Sequence, residues 1–188
     1  MGTICILLGK TGLWPNIFKA LSSHHPMKTN LVVSVLGNSN SGKSSTWNAL
    51  FGQTVRTGSH IRRLYLTAAE YIEVFLVSGS PEERNTYIGD IVGEHSPRII
   101  LCSMQYRADV TQTIDYFIQH DHFIYAQWLN PGFSDAARRQ DKLSLIAYLL
   151  DRDAVVSIRD GTIPLAPRVQ ELSDFLYGWA HSRGLILT

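Results

Sequence analysis

Residues 31–44 restrict the fold of this chain more than any other stretch. Leu31-Val32-Val33-Ser34-Val35-Leu36 is an uncharged run rich in β-branched residues, and it reads as a buried strand. It leads directly into Gly37-Asn38-Ser39-Asn40-Ser41-Gly42-Lys43-Ser44, and a helix-forming pattern begins at Lys43. Gly37 and Gly42 allow the backbone to turn its N–H groups inward around an anion. A helix beginning at Lys43 aims its unpaired N–H groups and positive dipole end at the same point. Asn38, Ser39, Asn40 and Ser41 are polar and fill the loop without blocking it.

The segment Gly37–Ser44 resembles the Walker A motif of P-loop NTPases. The longer string Asn40-Ser41-Gly42-Lys43-Ser44-Ser45, followed by Asn48-Ala49-Leu50-Phe51-Gly52, is similar to translation-factor-type small GTPases. The resemblance implies a P-loop NTPase fold that binds ATP or GTP with Mg²⁺ through Gly37, Asn38, Ser39, Asn40, Ser41, Gly42, Lys43, Ser44 and Ser45. In that scheme Lys43 reaches the β- and γ-phosphates and acts catalytically, while the Ser44 hydroxyl is a metal ligand.

Two family features are missing. The base-reading string Asn-Lys-x-Asp has no counterpart: the corresponding turn reads Asn130-Pro131-Gly132-Phe133, so a preference for guanine has no support. The second core strand, Tyr71–Val77, should end in a metal-orienting carboxylate (Walker B), yet it runs into Ser78-Gly79, and no Asp lies between Lys43 and Asp90. Glu82 and Glu83 are the candidate replacements. Following Pro81, they also read as an ordinary acidic helix start.

The remaining pattern predicts a first helix over Ser44–Gly52 and a polar segment over Thr54–His60. Thr54, Arg56, Thr57, Arg62 and Arg63 are candidate γ-phosphate contacts. Further strands are expected at Leu64–Leu66, Arg98–Met104, His122–Leu129 and Ala154–Ile158. Helices are expected from Asp109 to Gln119, from a Ser134 cap to Leu150, and over Gln170–His181 after a loop bounded by Pro164 and Pro167. This alternation predicts an α/β three-layer sandwich with a mainly parallel sheet. Ligands then bind outside the carboxyl ends of the strands, where Ser78–Glu83, Ser103–Arg107 and Asn130–Asp135 converge on the glycine loop.

At 188 residues, 45% apolar and 18% charged, the chain suits one globular domain. The regular pattern starts at Met27, which divides the chain into an N-terminal extension, residues 1–26, and a nucleotide-binding domain, residues 27–188. The extension holds a Gly9-Lys10-Thr11 echo without its upstream glycine, a short helical pattern at Asn16–Ser22, and the break His24-His25-Pro26. Cys5 and Cys102 are the only cysteines, too few for a zinc site. No apolar run reaches membrane-spanning length, so the expected location is cytoplasmic with no membrane partner. Before Glu70 there are seven Lys or Arg and no acid, a bias that favours an anionic ligand. No basic cluster interleaved with aromatics argues for nucleic acid. The expected function is nucleoside triphosphate binding with Mg²⁺-dependent hydrolysis or phosphoryl transfer, as in an NTPase or small kinase. The alternative is a catalytically weak, nucleotide-gated module acting on a protein partner through the extension or an Arg138–Lys142 helix.

Overall fold

A computed structural model describes residues 28–188. The extension, with the helix expected at Asn16–Ser22 and its two histidines, lies outside the described residues. Six strands form one sheet: β1 (Asn30–Gly37), β2 (Arg62–Tyr65), β3 (Tyr71–Val77), β4 (Ile99–Gln105), β5 (His122–Leu129) and β6 (Val155–Arg159). Their order is β2-β3-β4-β1-β5-β6, with β2 antiparallel to β3 and every other neighbouring pair parallel. The helices are α1 (Lys43–Leu50), α2 (Pro81–Arg84), α3 (Ile88–Val92), α4 (Val110–Gln119), α5 (Leu145–Leu150) and α6 (Ala166–Ser182). The chain is therefore α/β, with a mostly parallel sheet flanked by helices.

The period-2 geometry of a strand explains why β1 is apolar along its whole length. Leu31, Val33 and Val35 pack on one side with Trp47 of α1 and Leu172, Leu176 and Ala180 of α6. Val32 and Leu36 pack on the other with Ile88 and Val92 of α3, Val110, Ile114 and Phe117 of α4, and Leu145 and Leu149 of α5. Ser34, between them, is equally buried and directs its hydroxyl toward the Tyr125 carbonyl of β5, 3.5 Å away. Each fully buried large aliphatic side chain contributes roughly 1.5–3 kcal/mol. Among the described residues, no helix is long and apolar enough to cross a membrane.

Two expected helices differ, and the sheet order decides which strand end meets the loop. Residues 134–144 do not form the first part of a long helix; only Leu145–Leu150 is helical, so Arg138–Lys142 is not a helix either. Side chains take the backbone groups a helix needs: Asn130 accepts from the Arg139 N–H and donates to its carbonyl, and Asp141 accepts from the Leu145 and Ile146 N–H groups. The last helix begins at Ala166, so Pro167 opens it; the first helical turn has no use for the missing N–H. The sheet sets β1 between β4 and β5, with Gly37 opposite Gln105, and leaves β3 one strand further out. The strand end next to the glycine loop is therefore Gln105, not Val77-Ser78.

The far side of the sheet is held by Glu171 of α6. Its carboxylate accepts from Arg159 Nε and Nη2 (2.6 and 2.7 Å), from Tyr125 Oη (2.6 Å) and from Ser157 Oγ (2.9 Å). Burial alone pushes the Glu171 pKa up, but the bonds from Arg159, Tyr125 and Ser157 outweigh it and leave the pKa lowered. The same contact, together with burial, pushes Tyr125 up to about 12. Glu171→Gln is expected to cost about 2–3 kcal/mol in denaturant titration, since it leaves bonds to a charged acceptor unmade. A carboxylate with a lowered folded pKa contributes stability above its unfolded value, 4.5, and loses it as pH falls through the folded one. The gap between wild type and variant should therefore be full at neutral pH and close in acid. An unchanged gap at both pH values would sink this account.

Candidate functional site

The glycine loop has the shape its sequence asks for. Gly42 lies at φ 98° and Asn40 at φ 57°, both left-handed; Asn is among the few side chains that tolerate it. A Cβ on Gly37 would meet Ser41 Oγ at 2.4 Å, so glycine is needed there for close approach. Ser39, Asn40, Ser41, Gly42, Lys43, Ser44 and Ser45 line an open cavity of about 550 Å³, which Glu83, Phe133 and Ser134 complete. The Ser41 hydroxyl is buried without a hydrogen-bond partner among the described residues. Helix α1 starts at Lys43 with no side-chain cap, leaving its first N–H groups for a ligand.

Lys43 is expected to present its charge to a ligand; instead it is 6% exposed. Its ammonium donates to the carbonyls of Gly37 (3.2 Å) and Asn38 (2.7 Å) and to Gln105 Oε1 (2.7 Å), with Glu83 Oε1 at 3.8 Å. An isolated buried ammonium is costly, and the loop's own carbonyls and the Gln105 amide offset that cost. Burial lowers the Lys43 pKa, and Glu83 and Glu82 only partly oppose it. The site thus holds a cation whose contacts are mainly neutral dipoles, a preference for anions built into the loop.

Glu82 and Glu83, adjacent in α2, have different fates. Glu83 stands at the cavity, its side chain 37% exposed, and also accepts from Ser80 Oγ at 2.8 Å. Glu82 is 5% exposed and does not line that cavity; it accepts from the Gln105 N–H (2.8 Å) and from Thr113 Oγ1. Burial raises the Glu82 pKa. Its contact is indirect: it fixes the strand end whose side chain holds Lys43.

Ser44 lines the cavity with its hydroxyl 3.5 Å from the Ser78 carbonyl. That carbonyl also accepts from Ser103 Oγ (2.7 Å), which in turn accepts from Trp47 Nε1 (2.9 Å). Asn38 donates to Asp135 (3.2 Å), and the Ser41 carbonyl accepts from the Phe133 N–H (3.0 Å). The loops after β3, β4 and β5 therefore converge on the glycine loop.

Thr54, Arg56, Thr57, Arg62 and Arg63 do not line the cavity. Thr57 accepts from the Gly79 N–H and from Arg84, and Arg63 lies over the Tyr71 ring. Gln105, Phe133, Ser134 and Asp135 join the site although no sequence motif marks them individually. For Gln105 the only signal is its register opposite Gly37, which exists only in the folded sheet.

No protein-family model matches this sequence, and no curated protein matches it.

Lys43→Ala is expected to keep the fold while weakening inorganic triphosphate or nucleotide binding about ten- to a hundredfold, the contribution of one charge-assisted contact. Because the folded pKa of Lys43 lies below 10.5, wild-type affinity should fall as alkaline pH crosses it, and the variant should show no such step. Calorimetric titration across that range, with the thermal midpoint as a fold control, checks both; unchanged affinity in the variant would refute the assignment.

Proposed function

We propose that this chain is a P-loop nucleoside triphosphate-binding protein of three-layer architecture. It takes ATP or GTP at Gly37–Ser45 and turns it over slowly by hydrolysis or phosphoryl transfer. One observation carries the reading: a buried lysine ammonium, held mostly by neutral carbonyl and amide oxygens, lies against a glycine-bounded loop at a helix N-terminus, beside a polar cavity of about 550 Å³. Displacing those oxygens with a polyphosphate replaces dipoles by full charges while the α1 N–H groups gain an acceptor. Ser41, one of the residues lining that cavity, also has a buried hydroxyl with no partner among the described residues.

Mg²⁺ fits the donors present. The Ser44 hydroxyl and the Glu83 carboxylate, both at the cavity, would hold the ion as hard oxygen donors. When bound, the ion neutralises charge developing on the transferred phosphoryl group. The chain's own part is positional. Lys43 neutralises the phosphates, the loop N–H groups orient them, and Glu82 holds Gln105 so that Lys43 stays in line.

The second reading is a nucleotide-gated module that acts on a protein partner. It is favoured by one feature: the strand end beside the loop carries Gln105, and the next carries Ser78, so neither supplies a metal-orienting carboxylate. Metal positioning then depends on partly exposed Glu83.

Wild-type turnover is expected below about 1 s⁻¹, the low end for kinases. Glu83→Gln should reduce the Mg²⁺-dependent rate about ten- to a hundredfold, the usual effect of losing a supporting carboxylate. Glu82→Gln should change it far less. Phosphate-release assays with and without Mg²⁺ test both variants. Nucleotide binding without any Mg²⁺-dependent release selects the gated module; fast wild-type turnover shows that the metal is positioned by other groups.

A further inference from the structure

A second cavity, about 460 Å³, opens beside the first and shares Gly42, Ser45 and Phe133 with it. Its other walls are mainly apolar: Ile163, Pro164 and Leu165 follow β6, and Phe133 projects 69% exposed at the seam. Such walls suit a flat aromatic ring and reject a phosphate. Arg168 of α6 also lines this cavity and is 4% exposed. It forms no ion pair among the described residues. Its Nε reaches Thr46 Oγ1 and its Nη1 the Ile163 carbonyl, both at a long 3.4 Å, and Nη2 makes no hydrogen bond among the described residues. Burial lowers its pKa, and Asp160 opposes this only in part. Among the described residues that terminal nitrogen has no acceptor, which leaves it able to donate to a ligand in the cavity.

Resting on the phosphate-loop reading above, we infer that this cavity holds the base of the nucleotide, stacked on Phe133, with Arg168 donating to an acceptor edge; the preferred ligands are 6-oxopurine nucleoside triphosphates. Guanine and hypoxanthine present O6 and N7, two adjacent acceptors that a guanidinium matches in bidentate fashion. Adenine presents a donor at N6 beside N7, which sets N–H against N–H. The 2-amino group is not needed for this contact. Asp160, the nearby acid, already accepts from the Thr162 N–H (2.8 Å) and hydroxyl (2.6 Å) with Oδ1.

The experiment is calorimetric titration of the full chain with GTP, ITP, ATP and inorganic triphosphate in the presence of Mg²⁺. GTP and ITP should bind alike and about tenfold more tightly than ATP, and all three should exceed inorganic triphosphate. Phe133→Ala should bring the nucleotides toward inorganic triphosphate, since base–aromatic stacking is worth roughly tenfold or more. Arg168→Met should erase the difference between ITP and ATP. A thermal midpoint monitors that variant; should it unfold, the wild-type order of ITP and ATP decides alone. ATP equal to or tighter than ITP overturns the inference. GTP far above ITP also overturns it, since the 2-amino group would then be what is read. Inorganic triphosphate binding without any base preference removes the base slot but keeps the phosphate loop, whereas no binding of any of the four removes the phosphate loop itself.

Discussion

The site depends on keeping one positive charge out of water among mainly neutral partners. Lys43 Nζ has two loop carbonyls and the Gln105 amide within 3.2 Å, and the nearest carboxylate oxygen, on Glu83, stands at 3.8 Å. A carboxylate closer and more deeply buried than Glu83 would neutralise the ammonium and remove the pull on an incoming anion. Fewer dipoles would leave the ammonium too costly to bury. The intermediate arrangement is held from behind: Glu82 accepts from the Gln105 N–H and from Thr113 of α4, so the contact to Lys43 is anchored two residue layers deep. That chain of bonds explains why two neighbouring acids in a one-turn helix serve different ends.

The glycine loop is also joined to the opposite half of the sheet. The Phe133 N–H donates to the Ser41 carbonyl, and the Gly161 N–H donates to the Pro131 carbonyl. Asp135 collects the Gly132 N–H, Asn38 and Arg139. Burial alone would raise the Asp135 pKa, but those bonds outweigh it and leave it lowered. Two cavities thus share a wall because the segments after β5 and β6 are bonded to each other and to the loop.

Much of the architecture was legible in the chain. The uncharged runs at β1, β4 and β5 suit strands covered on both faces, and the expected bounds Tyr71–Val77 and His122–Leu129 are those of β3 and β5. The glycine loop was equally plain, because a strand, two glycines and a lysine at the helix start leave few alternatives. Residues 134–144 were misread since helical propensity is local, whereas the bonds from Asn130 and Asp141 that oppose it depend on the tertiary fold. Gln105 escaped notice for a related reason. A single amide in Met104-Gln105-Tyr106 carries no signal until the sheet sets it opposite Gly37. Which of Glu82 and Glu83 faces the loop was likewise a matter of helix phase, decided by the Thr113 hydroxyl on another element.

The strand order has a consequence for how the chain reaches this state. Only β2 and β3 can pair through a short local connection; β1 must find Ile99 for Leu31 on one side and Phe123 for Leu31 on the other. Closing such long segments costs entropy before any contact repays it, and parallel pairing slows folding for that reason. The glycine loop leaves the ribosome before either of the two strands, β4 and β5, that flank β1. The motif is therefore complete in sequence before its surroundings exist, and a chain interrupted before β5 would carry it without the wall that Phe133 and Ser134 supply.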